Sequence, residues 1–311
     1  MMNVLVTRAI PGNYLDNHEN FHIRIFPGNV DVRQWIISNI VDADGILITL
    51  NEKIDREIID HATRLKVIST YSVGYDHIDV EYAKSRGITV TYTPEVLTEA
   101  TADLIFGIML AAARNIASGD SLIRHDGWHS GWKPDFMLGS EVHGKTLGII
   151  GMGRIGNAVL KRSKGFDMKV LYYSRSIHNV DAEYVDLNYL LSESDFVIIA
   201  LDLNNETFHF MNYERISKMK KSAFLINGTR GKVVNEEDIV KALKDHIIRG
   251  AALDVFEDEP IDSKNPLTSL ENVVLTPHLG SATYETRDKM AETAVTNLFN
   301  VLNGKKPLYK L

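Results

Sequence analysis

The run Thr146-Leu147-Gly148-Ile149-Ile150 leads directly into Gly151-Met152-Gly153-Arg154-Ile155-Gly156, and this stretch decides the fold. The first five residues form an apolar strand, the next six match G-x-G-x-x-G, and a helical pattern, Asn157–Lys164, follows. The glycine string alone arises by chance. A strand before it and a helix after it make it a dinucleotide-binding fingerprint. Gly151 permits a tight turn, Gly153 lets the backbone approach a pyrophosphate, and Gly156 lets helix and strand pack closely. The helix that opens at Arg154 and Ile155 presents free N–H groups and its positive dipole end to the phosphates, so the whole turn is assigned to the cofactor, Met152 included.

Downstream, β-branched runs recur at Lys169–Tyr173, Phe196–Leu201, Ala223–Asn227, Gly250–Asp254 and Val273–Thr276, with helical patterns between them, among them Asn188–Ser192, Tyr213–Lys218 and Glu236–Lys244. Six strands with crossovers predict a Rossmann-type doubly wound parallel sheet. Upstream lies a smaller α/β series. Its strands are expected at Asn3–Thr7, Gly45–Thr49, Val67–Thr70 and Thr89–Thr91, and its helices at Val32–Ile40, Asp55–Ala62 and Val80–Arg86. One long helix is predicted from Leu97 to Gly119, too apolar between Ala102 and Ala113 to face solvent, and buried either within its domain or at a subunit interface. Residues 120–142, rich in glycine and carrying Trp128 and Trp132, show no periodicity; segments of this kind usually bind or form interfaces.

The end of the second strand of the larger series selects the dinucleotide. An NAD site usually places an acid there for the ribose hydroxyls. This chain has Ser174-Arg175-Ser176 instead. Two hydroxyls and a guanidinium suit a 2′-phosphate, which a carboxylate would repel. The expectation is NADP(H) in preference to NAD(H); the alternative is that Arg175 is a solvated surface cation.

Composition narrows the classes further. The 311 residues are 44% hydrophobic and 24% charged, with a formal net charge of -7 and no cysteine. Disulfides, cysteine nucleophiles and thiolate metal sites are excluded. No basic stripe supports nucleic-acid binding. No H-x-x-x-H pair falls on a helix to suggest a metal. The longest apolar run, Leu104–Ala113, is half of the ~20 residues that a membrane span needs. The N-terminus reads as a first strand and not as a signal peptide. A cytoplasmic enzyme is expected.

Three further stretches fall at or just past strand ends, where ligands bind in open parallel sheets. They are Asn227-Gly228-Thr229-Arg230-Gly231, Asp254-Val255-Phe256-Glu257-Asp258-Glu259-Pro260 and Thr276-Pro277-His278-Leu279-Gly280. An arginine, acidic residues and a histidine thus share one rim with the glycine turn.

Together with Val73-Gly74-Tyr75-Asp76-His77-Ile78-Asp79, these motifs resemble those of the D-isomer-specific 2-hydroxyacid dehydrogenases, over essentially the whole chain. Within that family Tyr172-Tyr173-Ser174-Arg175-Ser176 and Trp132-Lys133-Pro134 look most like the glyoxylate/hydroxypyruvate reductases. The resemblance implies Arg230 as the clamp for a 2-oxoacid carboxylate and carbonyl. It implies His278 as acid/base and Glu259 as its partner, a carboxylate that favours the imidazolium. Glu257 and Asp258 compete for that last role in the same acidic run. Asp254 corresponds to the residue that contacts the nicotinamide carboxamide. Gly228, Thr229 and Gly280 line the cofactor, and the Val73 and Gly74 amides hold the substrate carboxylate.

The resemblance also implies a discontinuous, flavodoxin-like substrate domain, residues 1–96 and 282–311, closed by a returning helix Ala282–Leu302. The dinucleotide domain, residues 97–281, is inserted into it, with hinges near Pro94–Thr98 and Gly280–Tyr284. A homodimer is expected. Two departures stand out: Asp202-Leu203-Asn204 replaces the usual Pro-Leu-Thr and puts a carboxylate near the pyrophosphate path, and Gly228-Thr229 replaces an apolar–alanine pair. The expected activity is NADPH-dependent reduction of glyoxylate or hydroxypyruvate. The alternatives are a D-3-phosphoglycerate, D-lactate or 2-ketogluconate dehydrogenase, or a non-enzymatic dinucleotide sensor.

Overall fold

The computed structural model describes residues 1–16 and 18–311. The chain forms two compact units, Met1–Leu97 with Ala282–Leu311, and Thr98–Ser281. Leu97, expected in the second unit, packs in the core of the first.

In the first unit the strands are β1 (Met2–Val6), β2 (Phe21–Ile25), β3 (Gly45–Ile48), β4 (Val67–Thr70) and β5 (Thr89–Thr91). They lie in the order β2-β1-β3-β4-β5, with every pairing parallel. This is the flavodoxin-like 2-1-3-4-5 arrangement. Helices α1 (Val32–Ile40), α2 (Arg56–His61) and α3 (Val80–Ser85) connect them. The N-caps Asp31, Asp55 and Asp79 each accept the third helical amide, an arrangement worth about 1 kcal/mol apiece. Both faces of the sheet are covered, as a parallel sheet requires. Leu5, Ile46, Ile48 and Ile68 meet α1 and α2 on one face. Val4, Val6, Leu47 and Val67 meet Met290, Ala294 and Leu298 of the C-terminal helix Tyr284–Leu302 on the other. The strand Phe21–Ile25 escaped the sequence reading because it is an edge strand with no fully buried residue.

The second unit opens on α4 (Thr98–Ala113) and α5 (Ile116–Arg124), followed by β6 (Thr146–Ile150), α6 (Arg154–Ser163), β7 (Lys169–Tyr173), β8 (Glu183–Tyr184), α7 (Leu187–Glu193) and β9 (Phe196–Ile199). Then come α8 (Tyr213–Ile216), β10 (Phe224–Asn227), α9 (Glu236–Lys244), β11 (Gly250–Leu253) and β12 (Val273–Leu275). The sheet order is β12-β11-β10-β9-β6-β7-β8, all parallel. Counted from β6 this is the doubly wound 3-2-1-4-5-6 order with one strand added beyond it. The strand missing from the six expected is β8, two exposed residues at the edge. Strands β9, β10 and β11 are buried along their whole length, which is why they read as continuous apolar runs.

The single helix expected from Leu97 to Gly119 is instead two. The chain breaks at Asn115, which adopts a left-handed φ of 53°, and the two axes differ by 66°. Asparagine tolerates this conformation better than most residues. A distant segment fixes the break: the Ser140 amide donates to Ala113 O at 2.7 Å, and Asn115 Nδ2 donates to Met137 O at 3.1 Å. Gly139 lies so close that a Cβ there would stand 2.4 Å from Ala113 O. Helix α4 buries Ile105, Phe106, Ile108 and Met109, whereas α5 buries nothing. Among the described residues no single helix is long and apolar enough to cross a membrane.

Candidate active site

The glycine turn lies between β6 and α6. Gly151 has φ +98°, and a Cβ on it would stand 2.4 Å from Ala200 O. At Gly156 a Cβ would meet Gly151 O at 2.1 Å, so any larger residue would push the helix off the turn. At Gly153 a Cβ would meet nothing within 4 Å. A ligand backbone can therefore come right up to the chain there. Gly153 is also the N-cap of α6 and supplies no capping side chain. The first amides of a ten-residue helix thus remain available to an anion. These observations fit a bound pyrophosphate.

At the end of β7, Ser174 is buried and its hydroxyl donates to Ser176 O, while Ser176 Oγ lies 3.4 Å from His178 Nε2. Arg175 projects outward, its side chain 89% exposed and 3.7 Å from Glu206. The loop after β9, where Asp202 replaces the usual proline, is closed by Thr207: its hydroxyl donates to Asp202 O at 2.6 Å and accepts the Asn204 amide at 2.8 Å. The exposed Asp202 carboxylate takes no part in this closure.

Arg230 stands on the turn after β10. Buried Asn227 shapes that turn by accepting from the Thr229 amide at 3.1 Å and donating through Nδ2 to Arg230 O at 2.9 Å. Gly228 faces α4: a Cβ there would come within 2.5 Å of Ile105, which accounts for glycine in place of the bulkier relative. At Gly231 a Cβ would stand 1.8 Å from Phe256 O, so the Arg230 turn is pressed against the loop after β11.

That loop carries Glu259, and the loop after β12 carries His278. His278 Nδ1 lies 2.6 Å from Glu259 Oε2, with both side chains about one-quarter exposed. This hydrogen bond engages Nδ1, and Nε2 has no protein partner among the described residues. Glu259 also accepts the Phe256 amide at 3.0 Å. Burial raises its carboxyl, but the bond from His278, the charges of His278 and Arg230 and the Phe256 amide together hold it below the usual carboxylate value. Of the three acids in this run, Glu257 turns away to His209, 2.8 Å distant.

Asp254 anchors the loop that carries His278. Its carboxylate is fully buried, and its own chain takes both oxygens. Oδ1 accepts Thr276 Oγ1 at 2.6 Å and the Leu279 amide at 2.7 Å; Oδ2 accepts the Gly280 amide at 2.9 Å. Its carbonyl receives the His278 amide at 2.9 Å. Asp254 and Gly280 thus hold the His278 loop, in which His278 has a left-handed φ of 53°. Burial pushes the Asp254 carboxyl up, against those three bonds.

In the first unit, the Val73–Gly74 turn follows β4. Ser72 Oγ bonds Gly74 O at 2.7 Å and pairs with Thr70 Oγ1 at 2.7 Å, and Thr70 Oγ1 lies 3.1 Å from His77 Nε2. These side-chain contacts shape the turn, and the amides of Val73 and Gly74 have no protein acceptor among the described residues.

The structure therefore brings Arg230, Glu259 and His278 to adjacent loops on one rim of the larger sheet, with the glycine turn on the same rim. It shows three residues that the sequence reading left without a role: Asn227, Thr276 and His209. A cavity of about 480 Å³ at the opposite end of the sheet, lined by Asn115, Lys244, Arg249 and Asn272, contains none of the rim residues. No group of three potential metal ligands exists among the described residues.

Residues 106–280 match the family model for the NAD-binding domain of D-isomer-specific 2-hydroxyacid dehydrogenases. A glyoxylate reductase from Pyrococcus furiosus is 46% identical over 314 residues, covering 98% of this chain and 93% of the relative. The crystal structure of a protein from Thermus thermophilus superposes with a TM-score of 0.95 at 43% identity, covering 100% of both chains. That of an NADPH-dependent glyoxylate/hydroxypyruvate reductase from Sinorhizobium meliloti, in complex with NADP and malonate, gives 0.89 at 30% identity, covering 100% of this chain and 96% of that one.

Proposed function

Given that the chain belongs to the D-isomer-specific 2-hydroxyacid dehydrogenases, nicotinamide-dependent oxidoreductases, we propose that it reduces a small 2-oxoacid, glyoxylate or hydroxypyruvate, to the D-2-hydroxyacid (glycolate or D-glycerate), with NADPH preferred. The observation that carries this reading is the His278–Glu259 pair on the loops beside Arg230, in which the carboxylate engages Nδ1 of the histidine.

When bound, a reduced nicotinamide would supply the hydride for the carbonyl carbon. Everything else falls to the protein. The planar guanidinium of Arg230 takes a carboxylate oxygen and the carbonyl oxygen together, which a point charge could not do. His278, protonated, donates from Nε2 to the carbonyl oxygen as negative charge builds there. Glu259 keeps the ring oriented and stabilises the imidazolium until that proton leaves; the neutral ring then recovers a proton from water. Asp254, through the Leu279 and Gly280 amides, keeps the loop in its left-handed turn. The turn Gly151–Gly156 together with Gly228 and Thr229 holds the dinucleotide. Ser174, Arg175 and Ser176 receive the 2′-phosphate, a role supported by the absence of any acid at the β7 end and by the exposure of Arg175.

Initial rates on glyoxylate, hydroxypyruvate, pyruvate and phosphohydroxypyruvate, each with NADPH and with NADH, test both halves of the proposal. The expected result is fastest turnover of glyoxylate or hydroxypyruvate with a lower KM for NADPH. A lower KM for NADH removes the cofactor assignment, and no turnover of any of the four removes the reductase reading in favour of a dinucleotide sensor.

The assembly we propose is a homodimer joined through the segment after α5. Trp132 is 81% exposed, Ile123 and Leu138 64% each, and Trp128 is half-exposed, so a single copy leaves a large apolar surface in water. Light scattering should give twice the 35.0 kDa chain mass; a monomer at assay concentration overturns it.

A further inference from the structure

Residues 277–280 leave the sheet at the end of β12 and carry His278 in a left-handed conformation, φ 53°. A histidine persists there only where its surroundings hold the backbone. Every amide of the segment has a place. Pro277 has none to offer. The His278 amide donates to Asp254 O at 2.9 Å and to Thr276 O at 3.0 Å, and the Leu279 and Gly280 amides donate to Asp254 Oδ1 at 2.7 Å and Oδ2 at 2.9 Å. The turn that presents the imidazole thus hangs on one residue, with its carboxylate making two of the bonds.

That carboxylate has to be held in its turn. It is fully buried, which a charged group tolerates only with its oxygens engaged. The third donor is Thr276 Oγ1, 2.6 Å from Oδ1 and the shortest of the three bonds. Both ends of this bond stand on the sheet: the Thr276 amide donates to Leu253 O at 3.0 Å, and the Asp254 amide to Asn227 O at 2.9 Å. The hydroxyl therefore braces the carboxylate from a fixed strand end, whereas the Leu279 and Gly280 amides belong to the very turn that the carboxylate fixes. Burial pushes the Asp254 carboxyl up; among the influences that oppose it the Thr276 hydroxyl is the strongest, ahead of the two amides and the His278 charge.

We propose that Thr276 is a positioning residue for His278: its hydroxyl fixes the buried Asp254 carboxylate against the Leu279 and Gly280 amides, and so sets the left-handed turn from which His278 Nδ1 meets Glu259. This rests on the reductase reading of the same site. The requirement is for a hydroxyl at this position. Serine supplies the same donor, whereas valine keeps the branched shape and supplies none. Without the hydroxyl the carboxylate keeps only the two donors of the turn, and no side chain on the sheet opposes a swing of carboxylate and turn together. The carboxyl also moves toward its neutral form, in which the remaining bonds lose the reinforcement of the charge. His278 then departs from its line to the carbonyl oxygen, so the loss falls on turnover. Arg230 stands on another turn, shaped by Asn227, and its hold on the oxoacid carboxylate is spared.

The test compares the wild type, Thr276→Ser and Thr276→Val in steady-state glyoxylate reduction with NADPH and in hydrogen exchange at the Leu279 and Gly280 amides. Thr276→Ser should keep kcat near the wild-type value and leave both amides slow to exchange. Thr276→Val should lower kcat by roughly 10- to 100-fold, as a displaced catalytic group does, with KM for glyoxylate little changed. Exchange at the two amides should speed up by about tenfold or more in that variant. A residue that only supported the fold would lower the melting temperature and leave kcat in place. Wild-type kcat or unchanged exchange in Thr276→Val overturns the proposal, and so does a serine variant that falls as far as valine, because the hydroxyl would then not be the active feature. Should Thr276→Val fail to fold by circular dichroism, Thr276→Ala removes the same hydroxyl and is judged by the same outcomes. A wild type inactive on every 2-oxoacid removes the reductase reading itself, and exchange at the two amides then still decides whether the hydroxyl holds the turn.

Discussion

His278→Ala is expected to lower kcat for 2-oxoacid reduction by about 10³-fold, within the range that a positioned general acid contributes, while NADPH binds with unchanged affinity. The separation follows from the geometry. The imidazole is anchored at Nδ1 by Glu259 at 2.6 Å, its Nε2 has no protein partner among the described residues, and the loop backbone is held by Asp254 irrespective of the side chain. Alanine at a left-handed φ of 53° carries some strain, of order 1 kcal/mol. His278→Asn, which suits that backbone and is not a general acid near neutrality, should therefore lose turnover just as far. Titration of nucleotide by intrinsic fluorescence and single-turnover kinetics check the two halves. Turnover near the wild-type level in both variants, with folding intact by circular dichroism, would falsify the assignment.

The pH dependence has a definite sign. Burial raises the Glu259 carboxyl, but the bond from His278, the charges of His278 and Arg230 and the Phe256 amide outweigh it and hold the group below the usual carboxylate value. The ionised form that orients the His278 ring therefore persists well into the acid range, and kcat/KM for the oxoacid should be lost only as the pH falls through that lowered value. Glu259→Gln removes the titrating group, so this acid limb should disappear while the rate at neutral pH drops through loss of ring orientation. An acid limb unchanged in this variant would show that Glu259 does not act through the histidine.

The parts of this chain that a linear reading recovers are those whose causes are local. The turn Gly151–Gly156 announces itself because tight turn and close helix approach each need a missing Cβ, and 2.4 Å and 2.1 Å separations show how strictly. Strands β9, β10 and β11 are legible because burial on both faces leaves unbroken apolar runs. Edge strands β2 and β8 are not, since only one neighbour and part of one face constrain their residues. The break at Asn115 is illegible for another reason: Gly139 and Ser140, a loop away, fix it by closing on the α4 carbonyls. The same holds around the rim. Arg230, Glu259 and His278 can be read as chemistry-bearing residues at strand ends, but which acid of Glu257-Asp258-Glu259 meets which histidine is decided only when four loops converge. Asp254 adds a part that the motif alone does not show: burial and three donors from its own chain make it the anchor of the His278 turn.

Arg230 is where charge and shape can be pulled apart. Two charge-assisted hydrogen bonds to carboxylate and carbonyl, at about 1.5–3 kcal/mol each, put the loss for Arg230→Gln at roughly 10²- to 10⁴-fold in kcat/KM. Arg230→Lys restores the charge but not the fork, so it should recover only part of that loss, with kcat still depressed because the carbonyl oxygen is no longer held in line with His278. The backbone should tolerate both changes. The turn is set by Asn227, through the Thr229 amide and Arg230 O, and by the close approach of Gly231 to Phe256 O, none of which involves the guanidinium. A structural arginine would behave otherwise: lysine and glutamine would lower the melting temperature together and leave the ratio of kcat to KM alone. Because the Arg230 charge also helps to hold the Glu259 carboxyl down, Arg230→Gln should let that carboxyl rise and bring its protonation closer to the working pH, whereas Arg230→Lys should not. An acid limb displaced upward in Arg230→Gln alone, together with the partial recovery in lysine, ties the arginine to both substrate and catalytic pair; equal activity in the lysine variant and the wild type would reduce it to a surface charge.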